Sequence, residues 1–498
     1  MHFFLMRVFL GNAPWRIEGS SGARLGVRAG TRWPFTMPAE PGQKIPGYLP
    51  FPFLLAYSAA VLEKAKHKVL LIDAIAEGFC EDEFIEKIRA FSPQLAILET
   101  STPSINIDLA IAKRIKEEVK CKVALGGPHS TVMGKALLKE HRHLDYILCG
   151  EYEIISKNLA NELGKKRPEL KNVKGIMFRG AKNRIVVNAP QPLLRDIDSL
   201  PAPARHFLPM YNYCDAFAGL PRPDVQMWAS RGCPFKCIFC LWPQVMYGGR
   251  NYRPRNPKKV VDEMEALVRE YKFKSVYFDD DTFDIGKERI LEMCREIRKR
   301  PPLKNIKWAI MARADTCDEE MLRAMKDAGL YALKFGVECA SQEMLNKIGK
   351  RLDLEKARRN IEIAKSLGIK VHLTFTFGLP GETRESIQRT IDFSHKLNPD
   401  SVQFSITTPF PGTEYFDILE GQGNILTKDW GRYDGSLSCV MRTKNLSGKD
   451  LEEAYNKANA SWKIKLFKKN MRRWPFLKQG IRHPIKTLSY LRDLLKYS

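Results

Sequence analysis

The stretch SRGCPFKCIFC, residues 230–240, places three cysteines, Cys233, Cys237 and Cys240, at C-x3-C-x2-C spacing. Thiolates this close in one loop are able to hold a single iron–sulfur cube, yet a cube has four irons and the loop offers three ligands. One iron therefore keeps an open position, as catalytic metal sites do, where a small chelating molecule can bind. The alternative, a structural zinc knot, is disfavoured because no fourth Cys or His lies nearby.

The cysteine loop follows the first strand of a series in which β-branched and aromatic runs alternate with amphipathic helical segments. The predicted strands are 225–230, 274–280, 307–313, 331–338, 370–378 and 400–408, and the predicted helices lie near 257–270, 286–299, 318–328, 354–366 and 383–396. Six β-α units predict a partial (β/α)6 TIM-like barrel over residues 225–420, whose chemistry gathers at the C-terminal ends of the strands.

Residues 1–165 show an earlier β-α alternation, which predicts an α/β domain with an open, Rossmann-like parallel sheet. The predicted strands are 7–11, 68–74, 94–100, 122–127 and 144–150, with helices at 52–66, 81–91, 107–119 and 134–141. Ligands of such sheets bind outside the carboxyl ends of the strands, where the strand order reverses. The loops after these strands are therefore the candidate binding residues.

The remaining segments are a linker and a basic extension. Residues 166–224 are rich in Pro and lack periodicity, which predicts a linker with a hairpin. Within the C-terminal extension 421–498, residues 463–498 alone carry +10 of the net charge of +24. In segment 461–498, basic residues alternate with apolar ones such as Trp462, which predicts peripheral contact with an anionic membrane. Packing of these helices on the barrel is the alternative.

Length and composition exclude several classes of protein. A chain of 498 residues with 44% hydrophobic and 28% charged residues fits a globular protein of two or three domains. The apolar stretch at 48–62 is too short to span a bilayer, and the first residues lack the pattern of a signal peptide. Eleven scattered cysteines favour a reducing compartment. We therefore expect a cytoplasmic protein, either free or peripheral on the inner face of the membrane.

Residues 225–415 resemble the radical SAM superfamily nearly end to end. The matching segments, besides the cysteine loop, are YFDDDTF (277–283), KFGVECAS (334–341), FGLPGET (377–383) and TPFPGTEYF (408–416). The resemblance implies that Cys233, Cys237 and Cys240 hold a 4Fe-4S cluster whose open iron binds S-adenosylmethionine. It also implies an external electron donor such as flavodoxin or ferredoxin, and reductive cleavage to a 5'-deoxyadenosyl radical.

The same resemblance implies which residues contact S-adenosylmethionine. They are Phe239 in the cysteine loop, Asp279 and Asp280 near the amino group, Arg313 near the carboxylate, Glu338 near the ribose, and Gly378 and Gly381 near adenine. Each has a structural alternative: the aspartates suit helix caps, Arg313 suits an ion pair with Asp315, and the glycines suit turns. The sequence identifies no further catalytic residue.

The strand-end loops of the first series resemble the cobalamin-binding domain that precedes many radical SAM cores. The resemblance implies cobalamin contacts from Ser101, Thr102, Gly126, Gly127 and His129, whereas the alternative is a Rossmann-like domain without a ligand. Cobalamin domains that ligate cobalt carry Asp-x-His-x-x-Gly after their first strand. The corresponding loop GNAPWR (11–16) has no histidine, so we expect cobalamin without a protein imidazole on cobalt.

The sequence leaves two rival functions to compare with this one. The tRNA methylthiotransferases also join a flavodoxin-like domain to a radical SAM core, and their first domain holds a second cluster on three cysteines. Here Cys80, Cys121 and Cys149 fall at opposite ends of the predicted sheet, and no small RNA-gripping barrel follows residue 415. We therefore predict no nucleic-acid partner. A cluster-holding electron carrier without a substrate is the second rival.

The run CLWPQVMYGGRNYRPR (240–255) resembles the cobalamin-type radical SAM proteins of hopanoid and tetrapyrrole pathways. The resemblance implies an apolar small-molecule substrate, with Trp242 and Tyr247 either lining the barrel mouth or packing between domains. Two reactions remain open, namely methyl transfer to an unactivated carbon through cobalamin, and a ring-forming or rearranging step.

Overall fold

The computed structural model describes residues 4–19, 22–27, 34–215, 217–435 and 438–471. Its first half is an α/β domain built on a seven-stranded sheet. In chain order its elements are β1 (Arg7–Asn12), β2 (Arg16–Ile17), β3 (Arg24–Val27), β4 (Phe35–Pro38), α1 (Phe53–Lys64), β5 (Lys68–Asp73), α2 (Ala74–Glu77), α3 (Glu81–Phe91), β6 (Leu95–Glu99), α4 (Ile105–Arg114), β7 (Lys122–Gly126), α5 (Pro128–Glu140), β8 (Tyr146–Leu148), α6 (Glu153–Leu163), β9 (Ile176–Arg179) and β10 (Ile185–Val187).

The sheet order is β10-β9-β8-β7-β6-β1-β5, and the five neighbouring strands β8, β7, β6, β1 and β5 are parallel. Because β5 lies on one side of β1 and β6 on the other, the strand order reverses at β1. The predicted hairpin at 166–224 is β9–β10, and β9 pairs antiparallel with β8. The sheet therefore continues past residue 165, the predicted end of the first domain.

Two features of this half were not predicted. Strands β2, β3 and β4 form a separate antiparallel sheet, whose short strands carry little periodicity. Helix α5 begins at Pro128 rather than near residue 134, because Gly127 caps the helix and proline suits its first position. His129 therefore lies in the first turn of a helix, whereas the sequence pattern predicted a loop at this position.

The second half contains six parallel strands in chain order, β11-β14-β15-β16-β17-β18, which confirms the predicted fold class of a partial barrel. The elements are β11 (Asp224–Met227), β12 (Ser230–Arg231), α7 (Leu241–Val245), β13 (Arg253–Pro254), α8 (Pro257–Tyr271), β14 (Ser275–Phe278), α9 (Lys287–Arg298), β15 (Lys307–Ala312), α10 (Glu319–Asp327), β16 (Leu330–Glu338), α11 (Gln342–Lys347), α12 (Leu354–Ser366), β17 (Lys370–Phe377), α13 (Arg384–Leu397), β18 (Ser401–Ile406), α14 (Glu414–Gly421) and α15 (Gly448–Met471).

The barrel helices begin where the sequence supplies a capping side chain. Asn256, Asp318, Asp353 and Thr383 each accept hydrogen bonds from backbone N–H groups in the first turn of α8, α10, α12 and α13. Such caps satisfy donors that have no partner inside the helix. They fix the start of each helix and therefore the length of the loop that leads into it from the strand end.

One hydrophobic core runs through both halves. The ring of Phe53 in α1 stacks on Trp228 after β11, with centroids 4.1 Å apart, and Tyr57 lies on the same indole. Aromatic side chains bury large apolar areas, so this stack joins the two halves firmly.

The end of the described chain packs on the barrel. Trp462 of α15 is buried, its ring lies 5.6 Å from that of His395 in α13, and Lys465 donates to the carbonyl of His395 at 2.8 Å. Trp462 was among the residues predicted to face lipid, and that prediction is wrong because the indole is covered by protein. The rest of the predicted membrane segment, 472–498, lies outside the described residues. No helix in the described ranges is long and apolar enough to cross a membrane.

We expect Trp462→Ala to lower the free energy of unfolding by roughly 3 kcal/mol, because it removes a large buried side chain and leaves a cavity. Lys463→Ala, at the exposed neighbouring position, is the control and is expected to change it by less than about 0.5 kcal/mol. Chemical denaturation of both variants measures the difference. Equal small changes would show that Trp462 does not pack as described.

Candidate functional site

The loop that carries the three cysteines is braced by tight backbone packing on both sides. Gly232 has φ +82°, and a Cβ there would overlap the carbonyl oxygen of Asn251. Gly349 has φ +69°, and a Cβ there would overlap the carbonyl oxygen of Lys236. Only glycine fits such approaches at positive φ. The cysteine loop is therefore held between the 249–251 turn and the 348–350 turn.

Gln244 fixes the carbonyl groups of the same loop. Its side-chain amide donates to the carbonyls of Cys240, Ile238 and Cys237 at 2.8, 3.0 and 3.2 Å, and its carbonyl accepts the N–H of Glu414 at 2.9 Å. Because Glu414 follows the sixth strand of the barrel, one side chain ties the cysteine loop to the far end of the sheet.

The three thiols lie together at the mouth of the barrel. A hydrogen bond with Cys240, opposed by burial, lowers the pKa of Cys237 to about 7, while burial raises the pKa of Cys233. Cys233 Sγ also lies 3.3 Å from Thr282 Oγ1. Lys350 and Arg313 add positive charge around Cys237.

These thiols suit a four-iron cluster better than a single ion. Among the described residues, no three His, Cys, Asp or Glu side chains converge on one metal position. A cube binds each cysteine through a different iron, so its ligands need not converge on a point.

A polar cluster links the predicted S-adenosylmethionine residues Arg313 and Glu338. The Lys350 ammonium donates to Glu338 Oε1 at 2.9 Å, and the Lys350 carbonyl accepts from Arg313 at 2.6 Å. Glu338 has φ +74° at a bulge of β16, which turns its carboxylate toward Lys350. Arg313 also pairs with Asp315 at 2.6 Å and lies over the ring of Phe235 at 3.8 Å. The predicted alternative, an ion pair with Asp315, is therefore present.

The aspartates after β14 brace the protein rather than stand open. Asp280 is fully buried, accepts the N–H of Ala229 at 2.8 Å and bonds the hydroxyl of Ser230. Burial, opposed by these bonds, raises the pKa of Asp280 to about 6. Asp281 accepts the N–H of Gly232 at 3.0 Å. Asp279 is buried beside them, with its own N–H bonded to the carbonyl of Met227 at 2.9 Å.

The remaining predicted contacts lie on the other rim. Gly378 and Gly381 have φ +92° and +84°, and a Cβ on Gly378 would overlap Met441 of the C-terminal extension. Glu382 binds the N–H groups of Gly378 and Leu379, and burial raises the pKa of Glu382 to about 7. Phe239 is half-buried against the core. The structure therefore brings Arg313 and Glu338 to the cysteines, and it holds the two glycines in a separate turn.

The predicted cobalamin residues meet at the carboxyl ends of β6 and β7. His129 Nδ1 lies 3.2 Å from Thr102 Oγ1, and Ser101 Oγ lies 2.8 Å from Ser104 Oγ. Gly127 has φ +112°, and a Cβ there would overlap the carbonyl oxygen of Thr100. A Cβ on Gly126 would press on the ring of Tyr152. Packing within the protein therefore accounts for both glycines, and these residues lie beside the reversal of strand order, where open parallel sheets bind ligands.

A cover from the C-terminal extension lies over these residues. The ring of Trp430 meets that of His129 at 5.4 Å, edge to face. Burial lowers the pKa of His129 to about 4, so the imidazole stays neutral near pH 7. The extension thus contributes to the edge where the first domain was expected to bind its ligand.

A buried charge clamp, formed by Arg231, Arg253, Glu151 and Glu153, joins the two halves at this edge. Arg231 pairs with Glu151 at 3.0 Å and with Glu153, and Arg253 pairs with Glu151 at 2.8 Å. Burial and the neighbouring Glu151 raise the pKa of Glu153, whereas the two arginines outweigh burial and lower that of Glu151. Arg231 also lies over the rings of Tyr57 and Trp228.

A cavity of about 380 Å³ opens beside the clamp. Three clamp side chains line it, those of Arg231, Glu151 and Glu153. The other walls come from the linker and from the segment after the cysteine loop, and they include Leu193, Leu194, Val245, Met246 and Tyr247. Trp242 is buried beneath it, with its ring 6.0 Å from that of Tyr247.

The sequence predicted neither the four residues of the clamp nor Gln244, Lys350 and Trp430. Gln244 lies close in sequence to the cysteine loop that it binds, and that proximity was its only signal, whereas its contact with Glu414 and the contact of Lys350 with Arg313 join distant segments. Trp430 contacts His129, which lies 301 positions earlier in the sequence, and no local sequence pattern predicts that contact.

We expect Arg231→Met to lower the free energy of unfolding by roughly 3–5 kcal/mol, because removing one partner of a buried ion pair strands the other charge. Glu153 loses its cation, while Glu151 keeps Arg253. Arg358→Met is the control, since Arg358 pairs with Glu355 and Glu362 in solvent, and a change below about 1 kcal/mol is expected. If denaturation shows the same small loss for both variants, the clamp does not stabilise the fold.

Comparison with known sequences agrees with this geometry. The family model of the radical SAM superfamily matches residues 229–394, and that of the B12 binding domain matches residues 46–160. An uncharacterized methyltransferase of Pyrococcus horikoshii is 32% identical over 418 residues, covering 83% of this chain and 88% of the relative. The anaerobic magnesium-protoporphyrin IX monomethyl ester cyclase of Rubrivivax gelatinosus is 29% identical, covering 91% of this chain and 80% of the cyclase.

Comparison with solved structures supports the fold. The cobalamin-dependent S-adenosylmethionine radical enzyme OxsB, solved with aqua-cobalamin and S-adenosylmethionine bound, superposes with a TM-score of 0.69 at 18% identity. The match covers 99% of this chain and 70% of OxsB. The cofactors of this family are a 4Fe-4S cluster, S-adenosylmethionine and cobalamin. Cysteine loop, barrel, first domain and sequence relatives agree, and the chain belongs to the cobalamin-binding radical SAM family of enzymes.

Proposed function

We propose that this enzyme transfers a methyl group, carried by cobalamin, to an unactivated carbon of an apolar small molecule of lipid, isoprenoid or tetrapyrrole type. The observation that carries this proposal is the charge clamp, which fixes the strand ends of the first domain against the cysteine loop. Such docking suits a reaction that uses both cofactors at one mouth. The methyltransferase of Pyrococcus horikoshii supports the same class of reaction.

In this proposal the chain's own residues divide the work. Cys233, Cys237 and Cys240 hold the cluster, which supplies the electron for cleaving S-adenosylmethionine. Arg313 and Glu338 bind S-adenosylmethionine, with Lys350 positioning the Glu338 carboxylate through their 2.9 Å ion pair. The buried aspartates after β14 hold the cysteine loop in place.

The walls of the cavity beside the clamp suit an apolar substrate. Leu193, Leu194, Val245, Met246 and Tyr247 line it within reach of the loop that follows the cysteines. Arg231, Glu151 and Glu153 add charged groups to the same walls, and apolar walls with a few placed polar groups are typical of small-molecule sites. The magnesium-protoporphyrin cyclase supports a ring-forming reaction on the same scaffold as the second candidate.

An external one-electron donor of the flavodoxin or ferredoxin type completes the proposal. The net charge of +24 favours association with an acidic redox protein, because opposite charge steers two proteins together.

Product analysis separates methyl transfer from ring formation. In anaerobic turnover with reduced protein, S-adenosylmethionine and an apolar extract of the source cells, we expect S-adenosylhomocysteine and 5'-deoxyadenosine in equal amounts. A methyl donor consumes one S-adenosylmethionine and radical formation consumes another, so both products appear together. Liquid chromatography with mass detection measures them.

Two cysteine variants test whether the product depends on the cysteine loop. Cys237→Ala removes one predicted cluster ligand, and Cys121→Ala, at a buried cysteine of the first domain, is the matched control. We expect Cys237→Ala to form no 5'-deoxyadenosine and Cys121→Ala to form it normally. Extract-dependent 5'-deoxyadenosine without S-adenosylhomocysteine would favour ring formation and overturn methyl transfer.

We also propose that the basic C-terminal segment attaches the enzyme to anionic membranes. Lys463, Lys468 and Lys469 of α15 are exposed, and residues 472–498 add seven further basic residues against one acid. Each basic residue near an anionic surface contributes about 1 kcal/mol at best, so a few suffice for reversible attachment.

We expect the full chain to co-sediment with phosphatidylglycerol vesicles at low salt. Detachment is expected at roughly 0.5 M salt, where the Debye length falls below about 5 Å. Two controls are used: the full chain with neutral phosphatidylcholine vesicles, and a chain shortened to residue 471 with phosphatidylglycerol vesicles. We expect the protein to co-sediment in neither. Equal binding by the shortened chain would show that segment 472–498 is not the anchor.

A further inference from the structure

The end of the central strand β1 carries polar atoms that the protein leaves without partners. Asn12, the last residue of β1, is fully buried, and neither Oδ1 nor Nδ2 has a hydrogen-bond partner among the described residues. Trp15, three residues later, is buried with Nε1 in the same condition. Buried polar groups are nearly always satisfied in native proteins, so these three unsatisfied atoms require an explanation.

These atoms lie where a ligand of this fold is expected. Gly11 pairs with Leu98 of β6, so Asn12 stands level with Glu99, and Glu99 in turn pairs with Gly126 of β7. The sheet order reverses at β1, and the crevice at such a reversal is the binding place of open parallel sheets. Asn12 therefore shares one sheet edge with the glycine end of β7.

The residue types indicate which chemistry would satisfy them. A carboxamide offers both donors and an acceptor, and the indole N–H offers a donor only. Cobalamin presents many primary amides around its corrin ring, and a carboxamide pairs with a primary amide in both directions. The loop 11–16 follows the first strand, the place where cobalt-ligating domains carry Asp-x-His-x-x-Gly, and it contains no histidine.

We propose that Asn12 and Trp15 form the polar floor of the cobalamin site, holding the corrin ring through its peripheral amides in place of a histidine on cobalt. This inference rests on the cobalamin-dependent function proposed above. It assigns a role to the loop 11–16, which otherwise lacks the residue that related domains use.

Asn12→Leu tests the proposal, because it keeps the size of the side chain and removes both polar groups. Removing unsatisfied buried atoms is expected to raise the melting temperature of the cobalamin-free chain. The same change is expected to weaken hydroxocobalamin binding, measured by equilibrium dialysis, by about tenfold or more. Trp15→Phe removes only the N–H, and a smaller loss of about threefold is expected from this second variant.

Ser58→Ala is the matched control. Ser58 Oγ is also buried without a partner among the described residues, but it lies inside α1 and not at the strand end. We expect Ser58→Ala to leave cobalamin affinity unchanged. In the cob(II)alamin form of the wild type, we expect an electron paramagnetic resonance spectrum without nitrogen splitting from histidine.

Three results would overturn the inference. They are wild-type affinity in both Asn12→Leu and Trp15→Phe, a melting temperature that falls together with affinity in Asn12→Leu, and histidine splitting in the wild-type spectrum. A wild type that binds no cobalamin would instead remove the proposed function on which the inference rests.

Discussion

The charge clamp is the constraint on which the arrangement of this enzyme depends. Removing ions from water is costly, and the cost is recovered only where opposite charges meet with good geometry. Arg231 meets that requirement only when Glu151 and Glu153 are brought to it from the end of β8. Because Arg231 lies two residues before Cys233, docking of the first domain and placement of the cysteine loop depend on the same ion pairs.

Hydrogen bonds from three side chains hold the backbone of the cysteine loop. Asp280 and Asp281 accept hydrogen bonds from backbone N–H groups at the start of the loop, and Gln244 donates to its carbonyl groups. Because these bonds fix the backbone, we expect the loop to bind a cluster without a backbone rearrangement. Hydrogen bonds from buried side chains to the backbone restrict the motion of such a loop. Rigid support is what a radical reaction needs, since its intermediates must be kept from water and from stray partners.

Local patterns made much of this predictable. The cysteine spacing, the alternation of strands and helices, and capping residues such as Asp353 act over a few residues, and they gave the fold class and the family. What the sequence could not supply were partners brought together by folding. Asp280 matches a family position, but its two carboxylate oxygens accept hydrogen bonds from Ala229 and Ser230. The side chain of Trp462 packs on the barrel and does not face lipid.

The most direct test of this account is the distance between the two metal centres. Pulsed dipolar electron paramagnetic resonance on protein that holds both the reduced cluster and cob(II)alamin reports how those two spins are placed. If the charge clamp fixes one docked arrangement, the wild type gives a single narrow distance distribution and Arg231→Met gives a broad one. A broad distribution in the wild type, or an unchanged narrow one in Arg231→Met, would contradict the account.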